Sequence, residues 1–560
     1  MSTEPDRLEN KPPDDDRTAE SVLEWIRGRP LPRDSHLVIG LGLPLVLLAI
    51  GMWRVRAYTV DDAYISFRYA RNLANGLGLV FNAGERIEGY TNFLFTCLLA
   101  LAMKGGLDPE RAAKILGAAS ACGSIALTYA IAARIKPPRR VPVIATWLLA
   151  GSLPTAGWAV FGLETSFFVA LVLLGVWLFL RERDAPSAFP WSGAAFAAAA
   201  LTRPEAPLFA GLAMLFLAGE KRDSAEKRSL FSIVADLFER RNLIRAALFV
   251  GPIAAHLAFR RLYYGAWLPN TFAAKTGHLA AQIVGGGRYL RAYVEHVGPL
   301  LLVVPAGVVL AIARRRRDMK AISAIAIAVP IYVLLVGGDW MPAHRFLAPF
   351  EPFAFLLVDA VARELLEAWR RVEERALATL RVPSTRSRPV RIVARAIASA
   401  ALLAFAIHTA TSRGRAFTEG AQQIEGERRF WISAAGGVAA WFAEHGRRGT
   451  IAVADMGYIA YATDYPILDL LGLVDPVISE LPGGYTHKTG PGYVARVFEV
   501  APRYFVFVGS REGCDTLPFE SQAALRADPR FRARYAVVGE VRHAFDGYWC
   551  IFGPREEAPR

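Results

Sequence analysis

Apolar residues come along this chain in blocks of helix length, and the gaps between the blocks are short and polar. The first block, HLVIGLGLPLVLLAIGMW at 36–53, carries no Asp, Glu, Lys or Arg over nearly the length a bilayer core requires, about 20 residues. Blocks at 112–135, 141–160, 165–181, 243–264, 298–313, 321–337, 346–362 and 392–410 are likewise predominantly apolar. Residues 189–218 are equally apolar but are interrupted by Arg203-Pro204-Glu205, which predicts two shorter helices with a break at RPE. TNFLFTCLLALAM at 91–103 is too short to span and predicts a helix lying in or dipping into the interface. Beyond residue 410 the pattern changes. TIAVAD (450–455), YPILDLLGL (465–473), RYFVFVG (503–509), YAVVGEV (535–541) and YWCIF (548–552) are short β-type runs between helical or turn-rich stretches, which predicts a small α/β domain.

The basic connectors orient these blocks. KPPRR (136–140), the Lys/Arg-rich stretch at 221–242, RRRRDMK (314–320) and the stretch from Arg363 to Arg391 belong on the cytoplasmic side. The polar segment 1–35 is then a disordered cytoplasmic tail, and the first block is an uncleaved signal anchor. Residues 56–111 become one large external loop. Alternation predicts about eleven spans, a second external loop at 265–297, and GGDWMPAHR (337–345) outside. The expected fold is a polytopic α-helical membrane protein with its membrane domain over 36–410 and an extracytoplasmic α/β domain over 411–560.

Composition sharpens this picture. The 560 residues are 53% hydrophobic with a mean hydropathy of +0.27, as in a membrane chain with a soluble part attached. A net charge of +14 would suit nucleic acid, but the basic residues collect in connectors and no nucleic-acid motif is present, so that function class is excluded. Cys97 and Cys122 fall in apolar blocks and read as small hydrophobes, whereas a bond between Cys514 and Cys550 is permitted if their region lies outside. There is no Walker A, HExxH or GxSxG motif, and VADMGYIAY lacks a GxGxxG fingerprint. Nucleotide hydrolysis, zinc proteolysis, serine hydrolysis and dinucleotide binding therefore lack their parts.

Under this topology the residues that interrupt apolar sequence gather on one side. Asp61, Asp62, Arg68 and Arg71, then Glu85, Arg86, Glu88 and Tyr90, Glu164, Arg203 and Glu205, Asn270 and Lys275, and Asp339, His344 and Arg345 all fall outside. Ionisable groups beside lipid are expensive, so a one-sided collection marks a site. Each also has a structural reading. Asp61 or Asp62 suits a helix cap, Arg203 and Glu205 a turn pair, Lys275 snorkelling, Asp339 and Arg345 a loop salt bridge, and Glu164 a helix start. The chemistry that uses them together is transfer from a lipid-linked phosphate. Cations neutralise the leaving phosphate, and a carboxylate takes a proton from the attacking hydroxyl.

DDAYISFRYARNLANGLGLVFNAGERIEGYTNFLF (61–95) resembles the first external loop of the polyprenyl-phosphate-dependent GT-C glycosyltransferases, in particular the cell-wall terminal β-arabinofuranosyltransferases. FGLETSFF (161–168), LTRPEAPL (201–208), LPNTFAAKTG (268–277), GGDWMPAHRFLAPFEP (337–352) and VADMGYIAYATDYPILDLLGLVD (453–475) resemble later blocks of that family in the same order. The resemblance implies a GT-C inverting glycosyltransferase of the bacterial plasma membrane. Its donor would be a sugar, arabinofuranose in the most similar members, on a polyprenyl phosphate. Its acceptor would be an extracytoplasmic glycan or glycolipid of the cell envelope. The resemblance further implies the Asp61–Asp62 pair as the catalytic acids, with Asp61 favoured as general base. It puts Arg203, Lys275, His344 and Arg345 at the donor phosphate, and Glu88, Tyr90, Glu164, Glu205, Asn270 and Asp339 at the sugar or acceptor. Some GT-C enzymes require a divalent metal, which the two aspartates have the chemistry to hold; no other cofactor is implied. Two alternatives stay open: the same fold transferring another lipid-linked sugar to lipid A or protein, and a non-enzymatic transporter or assembly protein of lipid-linked glycans.

Overall fold

A computed structural model describes residues 36–135, 143–217, 237–275, 279–379, 384–483, 485–543 and 545–558. The tail 1–35, the connector KPPRR, most of the basic stretch at 221–242, and the side chains of Lys275 and residues 376–403 lie outside the described residues. Among the described residues, six helices are long and apolar enough to cross a membrane: Val38–Val55, Pro109–Ile135, Thr165–Asp184, Arg240–Tyr263, Leu279–Ala313 and Arg317–Val336. Val38–Val55 buries Leu48 and Val55 against its neighbours yet leaves Val46, Ile50 and Trp53 exposed, a distribution suited to lipid.

The remaining apolar blocks form helices that are shorter, broken or shifted. Phe93–Lys104 is the short helix expected near the interface, and Ser192–Ala200 and Ala206–Leu217 flank RPE. The block at 141–160 is not one span. It breaks into Ile144–Ala150 and Leu153–Trp158, because Ser152 caps a new first turn that carries Pro154. The break also frees the Ser152 hydroxyl to donate to the buried Glu351 carboxylate at 2.5 Å. The stretch 265–297, expected as a second external loop, is helical from Leu279. Residues 279–313 are one helical run, and its glycines at 285 and 286 let the backbone lie against Leu334 and Gly337. The block at 346–362 starts late, with a turn at Arg345–Leu347 and a helix from Glu351. The last apolar block belongs to a helix, Ser384–Arg428, so the expected boundary at 411 falls inside a helix.

The C-terminal part holds a five-stranded mixed sheet, and each strand falls on one of the expected runs. These are β1 (Ile451–Val453), β2 (Ile467–Asp469), β3 (Tyr504–Gly509), β4 (Tyr535–His543) and β5 (Gly547–Pro554). The order is β2-β1-β3-β5-β4, with β1 parallel to β2 and β3, and β5 antiparallel to β3 and β4. Side-chain alternation divides the sheet between two cores. Phe505 and Phe507 point into a core of their own domain with Phe531 and Phe552. Tyr504, Val506, Val508, Trp549 and Ile551 belong to the same hydrophobic cluster as the membrane helices. One sheet face is thus part of the main body. Cys514 and Cys550 are disulfide-bonded.

Candidate active site

The stretch 56–111, expected as the first external loop, holds the helix Asp61–Ala74. Val60 occupies its N-cap in extended conformation and donates its N–H to the Phe161 carbonyl at 3.1 Å. No side chain caps this helix, so the capping reading of Asp61 is not what the structure shows. The Asp61 carboxylate points away from its own helix. Its Oδ2 accepts the N–H of Gly457 at 2.9 Å, and its Oδ1 that of Tyr458 at 2.8 Å. Gly457 is required for this approach, since a Cβ there would stand 2.6 Å from Oδ2 and closer still to the Asp61 carbonyl oxygen. Asp61 is only 5% exposed. Burial pushes its carboxyl up to about 7, the Tyr458 and Gly457 N–H groups opposing and the charge of Asp62 adding to the rise.

The helix Gly457–Thr463 that supplies those N–H groups follows β1 through Asp455. From β1 the chain passes to β2 on one side and later returns as β3 on the other, which makes the carboxyl end of β1 a topological switch point. Asp455 stands there. Burial, then the charges of Asp61 and Asp62, push it up to about 7. Tyr485 is raised well above the ordinary phenol range by burial and by Asp62, Asp469, Asp455 and Asp61. Asp61, Asp62, Asp455 and Tyr485 therefore lie close enough for their charges to act on one another. Asp469, at the end of β2, instead builds a turn by accepting the N–H groups of Leu471 (2.8 Å), Leu473 and Val474 (3.1 Å).

The rest of the loop is fastened to the C-terminal domain beside these acids. Arg68 donates to the carbonyls of Phe81 (2.8 Å), Tyr465 (2.7 Å) and Ala460. Arg71 pairs with Asp464 at 2.7 Å. Asn82 mimics a strand neighbour at β2, accepting from the Ile467 N–H and donating to its carbonyl. Asn270, an expected sugar contact, donates to the Gly472 and Leu473 carbonyls and accepts from Ser479, so its amide is spent on docking. Glu88 forms a two-pronged pair with Arg260, at 2.5 and 3.1 Å, and Tyr90 meets Tyr264 hydroxyl to hydroxyl. These two also hold the loop, to the helix Arg240–Tyr263.

A second centre gathers expected residues from three other loops. Arg203 sits between Glu164 at 2.8 Å and Glu205 at 2.5 Å, all three buried. Glu164 also accepts from Asn92, which donates on to Ser66 of the helix Asp61–Ala74. Arg345 pairs with Asp339 at 2.7 Å, and the guanidiniums of Arg203 and Arg345 both lie over the ring of Phe346. Two guanidiniums here face three carboxylates, so the expected donor-phosphate cations are already matched within the protein. His344 adds no charge near pH 7, because burial and then His296 lower it to about 4. The Lys275 side chain lies outside the described residues.

Among the described residues no three His, Cys, Asp or Glu side chains are placed to hold a metal ion. Both Asp61 oxygens accept N–H groups instead. Asp61 and Asp62 have the chemistry to hold a divalent ion, but no group of three such ligands is found there among the described residues, and no step is derived through one. Sequence reasoning missed Asp455, Tyr485, Asn92 and Arg260. Asp455 carried a usable signal, an acid directly after a short apolar strand, where open α/β sheets bind ligands.

Residues 420–552 match a family described as a domain of unknown function, DUF8728. The chain is 31% identical over 347 residues to a terminal β-(1→2)-arabinofuranosyltransferase of Mycobacterium tuberculosis, covering 54% of this chain and 52% of that protein. It is 29% identical over 356 residues to the protein of the same name from Corynebacterium glutamicum, covering 54% and 47%. The chain thus spans about half the length of the curated relatives it matches. ArnT from Cupriavidus metallidurans is similar in structure, with a TM-score of 0.55 in the apo state, 14% identity, and coverage of 96% of this chain and 100% of that one. The same enzyme bound to undecaprenyl phosphate gives 0.53 at 11% identity, with 94% and 100% covered. The oligosaccharyltransferase AglB from Archaeoglobus fulgidus, in complex with an inhibitory peptide and a dolichol-phosphate, gives 0.51 at 14% identity, with 92% and 75% covered. The chain has the GT-C membrane fold with a C-terminal sheet domain, and its sequence is similar to that of the terminal β-(1→2)-arabinofuranosyltransferases.

Proposed function

We propose that this protein is a membrane-embedded inverting glycosyltransferase that moves arabinofuranose from a polyprenyl phosphate to an extracytoplasmic glycan of the cell envelope. The observation that carries this reading is Asp61, a buried carboxylate held near neutral proton affinity where the first external loop meets the C-terminal domain. A general base works best when its affinity for the proton lies near the working pH. The sugar is argued from the sequence relatives. The lipid phosphate is argued from the fold's neighbours, which hold undecaprenyl phosphate and dolichol-phosphate. The Cys514–Cys550 bond supports an oxidising, extracytoplasmic location for the sheet domain.

The acceptor hydroxyl oxygen attacks the anomeric carbon while its proton passes to Asp61. The bond from that carbon to the phosphate oxygen breaks, and polyprenyl phosphate leaves with the electron pair. A single displacement inverts the anomeric centre. Arg345, half-buried over Phe346, is the cation we place at the departing phosphate, where it exchanges Asp339 for the new charge. Arg203, locked between two carboxylates, positions Glu164 and, through Asn92, the Asp61 helix.

The test is transfer by the full chain in lipid nanodiscs, from defined polyprenyl-phosphate sugars to an arabinan acceptor. Arabinofuranose should be preferred over hexose and aminoarabinose donors. Asp61→Asn should lower kcat by ~10²–10⁴ with little change in donor KM. Full activity in Asp61→Asn removes it as base, and transfer of another sugar alone overturns the donor assignment.

A further inference from the structure

The helix Pro109–Ile135 runs from the Asp61 end of the membrane domain to its other end. In its first turn Glu110 accepts from Thr59 at 2.7 Å and from Tyr64 of the Asp61 helix at 3.0 Å. The Ile135 carbonyl at its far end accepts from Arg316 at 2.6 Å. The 27 residues between span about 40 Å, so Arg316 stands at the membrane face opposite Asp61, the face to which the basic connectors assign the cytoplasm. A pocket of about 480 Å³ opens there between four helices. Its wall is apolar at Ile135, Leu310 and Leu356 and cationic at Arg314, Arg316 and Arg363. Two carboxylates line it against those three guanidiniums. Asp359 is turned inward, held by the Ile144 N–H at 2.7 Å and by Arg363 at 2.7 Å. Glu364 is shared between Arg314 and Arg371, the latter at 3.1 Å, and both of these guanidiniums are half exposed. Arg316 reaches Asp318 at 2.6 Å, and the exposed Arg315 in the same turn adds a further positive charge. Beside them the helix Glu351–Thr379 leaves Leu365, Trp369 and Val372 exposed, at spacings of four and three that put them in one stripe.

We infer that this pocket binds the phosphate headgroup of an anionic phospholipid from the leaflet opposite Asp61. Arg314 and Arg371 take the phosphate oxygens, each exchanging its share of Glu364 for the new charge, and the planar guanidinium fork suits that ligand. The apolar wall receives the upper part of an acyl chain. Arginines next to an exposed stripe that contains a tryptophan match the boundary between headgroups and acyl chains. A soluble anion would meet the same cations but would leave the wall and the stripe uncovered, which is why the occupant is a lipid. Exposed ion pairs contribute little stability by themselves, so one carboxylate shared by two half-exposed guanidiniums is weak as a structural device and well suited to exchange. A bound headgroup joins the end of the helical run 279–313 to the helix Glu351–Thr379. The site is independent of the transfer reaction.

The experiment uses the full chain purified in an uncharged detergent and titrated with phosphatidylglycerol, phosphatidylcholine or inorganic phosphate. Native mass spectrometry reads the bound lipid and melting reads Tm. Phosphatidylglycerol should be retained and should raise Tm, and the other two should do neither. The double variant Arg314→Gln, Arg371→Gln should bind phosphatidylglycerol about fivefold more weakly for each guanidinium removed. Glu364→Gln should bind it more tightly than wild type, because the competing carboxylate is gone. These side chains are partly or half exposed, and the Tm of each variant without lipid verifies that it folds. A group that serves only as a structural ion pair gives a different result, in which Glu364→Gln lowers Tm and leaves the affinity for phosphatidylglycerol unchanged. That result overturns the inference. So does equal binding of phosphatidylcholine, or an equal rise in Tm with inorganic phosphate alone, which would make the occupant a soluble anion.

Discussion

Gly457 meets Asp61 with no room for a methyl group, and this contact joins two residues 396 positions apart. Gly457→Ala should push the helix Gly457–Thr463 off the carboxylate and misplace the base. A shift of about 1 Å at a reacting group costs on the order of 10²-fold in rate, so kcat should fall by about that much while the protein still folds. Transfer kinetics beside a thermal melt would check this, and wild-type kcat would argue against it. Asp61 shows where residue-level reading stops. Two adjacent acids at a helix start were legible as either caps or catalysts, because the local pattern is the same for both. The partner that decides is a backbone N–H from a distant segment, and backbone groups leave no mark in side-chain spacing.

At the scale of elements, Arg203 ties several helices together. It sits in the break between Ser192–Ala200 and Ala206–Leu217, reaches Glu164 at the start of Thr165–Asp184, and through Asn92 reaches the Asp61 helix. Removing one member of a buried ion group leaves uncompensated charge, at about 3–5 kcal/mol. Arg203→Ala should therefore reduce the yield of monodisperse protein and lower Tm, and Arg203→Met combined with Glu164→Gln and Glu205→Gln should recover part of both. Size-exclusion profiles and melts of the two variants make the comparison. Loss of donor affinity alone, with stability intact, would return Arg203 to the phosphate. The break at RPE and all five strands were legible, because proline and short apolar runs are local signals. The helical run at 279–313 was not. Its first half mixes Gln, Gly, Arg and Tyr with apolar residues, and it is helical because glycines pack it against Leu334 and Gly337.

For the whole molecule, one face of the C-terminal sheet shares its core with the membrane helices and the other has its own. The disulfide joins β5 to the loop after β3 on that second side. Its removal by Cys514→Ser with Cys550→Ser should cost the C-terminal domain about 2–4 kcal/mol. Asp61 is held by N–H groups of that domain, so transfer should also become more heat-sensitive, which activity after graded heating would reveal. The sequence alone determined the membrane class, most of the helices and the five strands, and it predicted a one-sided collection of polar residues. Each of these rests on periodicity, length and charge over a few turns of chain. Only the tertiary structure decided which of those polar groups face one another. Arg203 meets Glu164 and Glu205, Glu88 meets Arg260, and Asp61 meets Gly457 and Tyr458. A buried charge takes its chemistry from its nearest partner, and here close packing of distant segments chooses that partner.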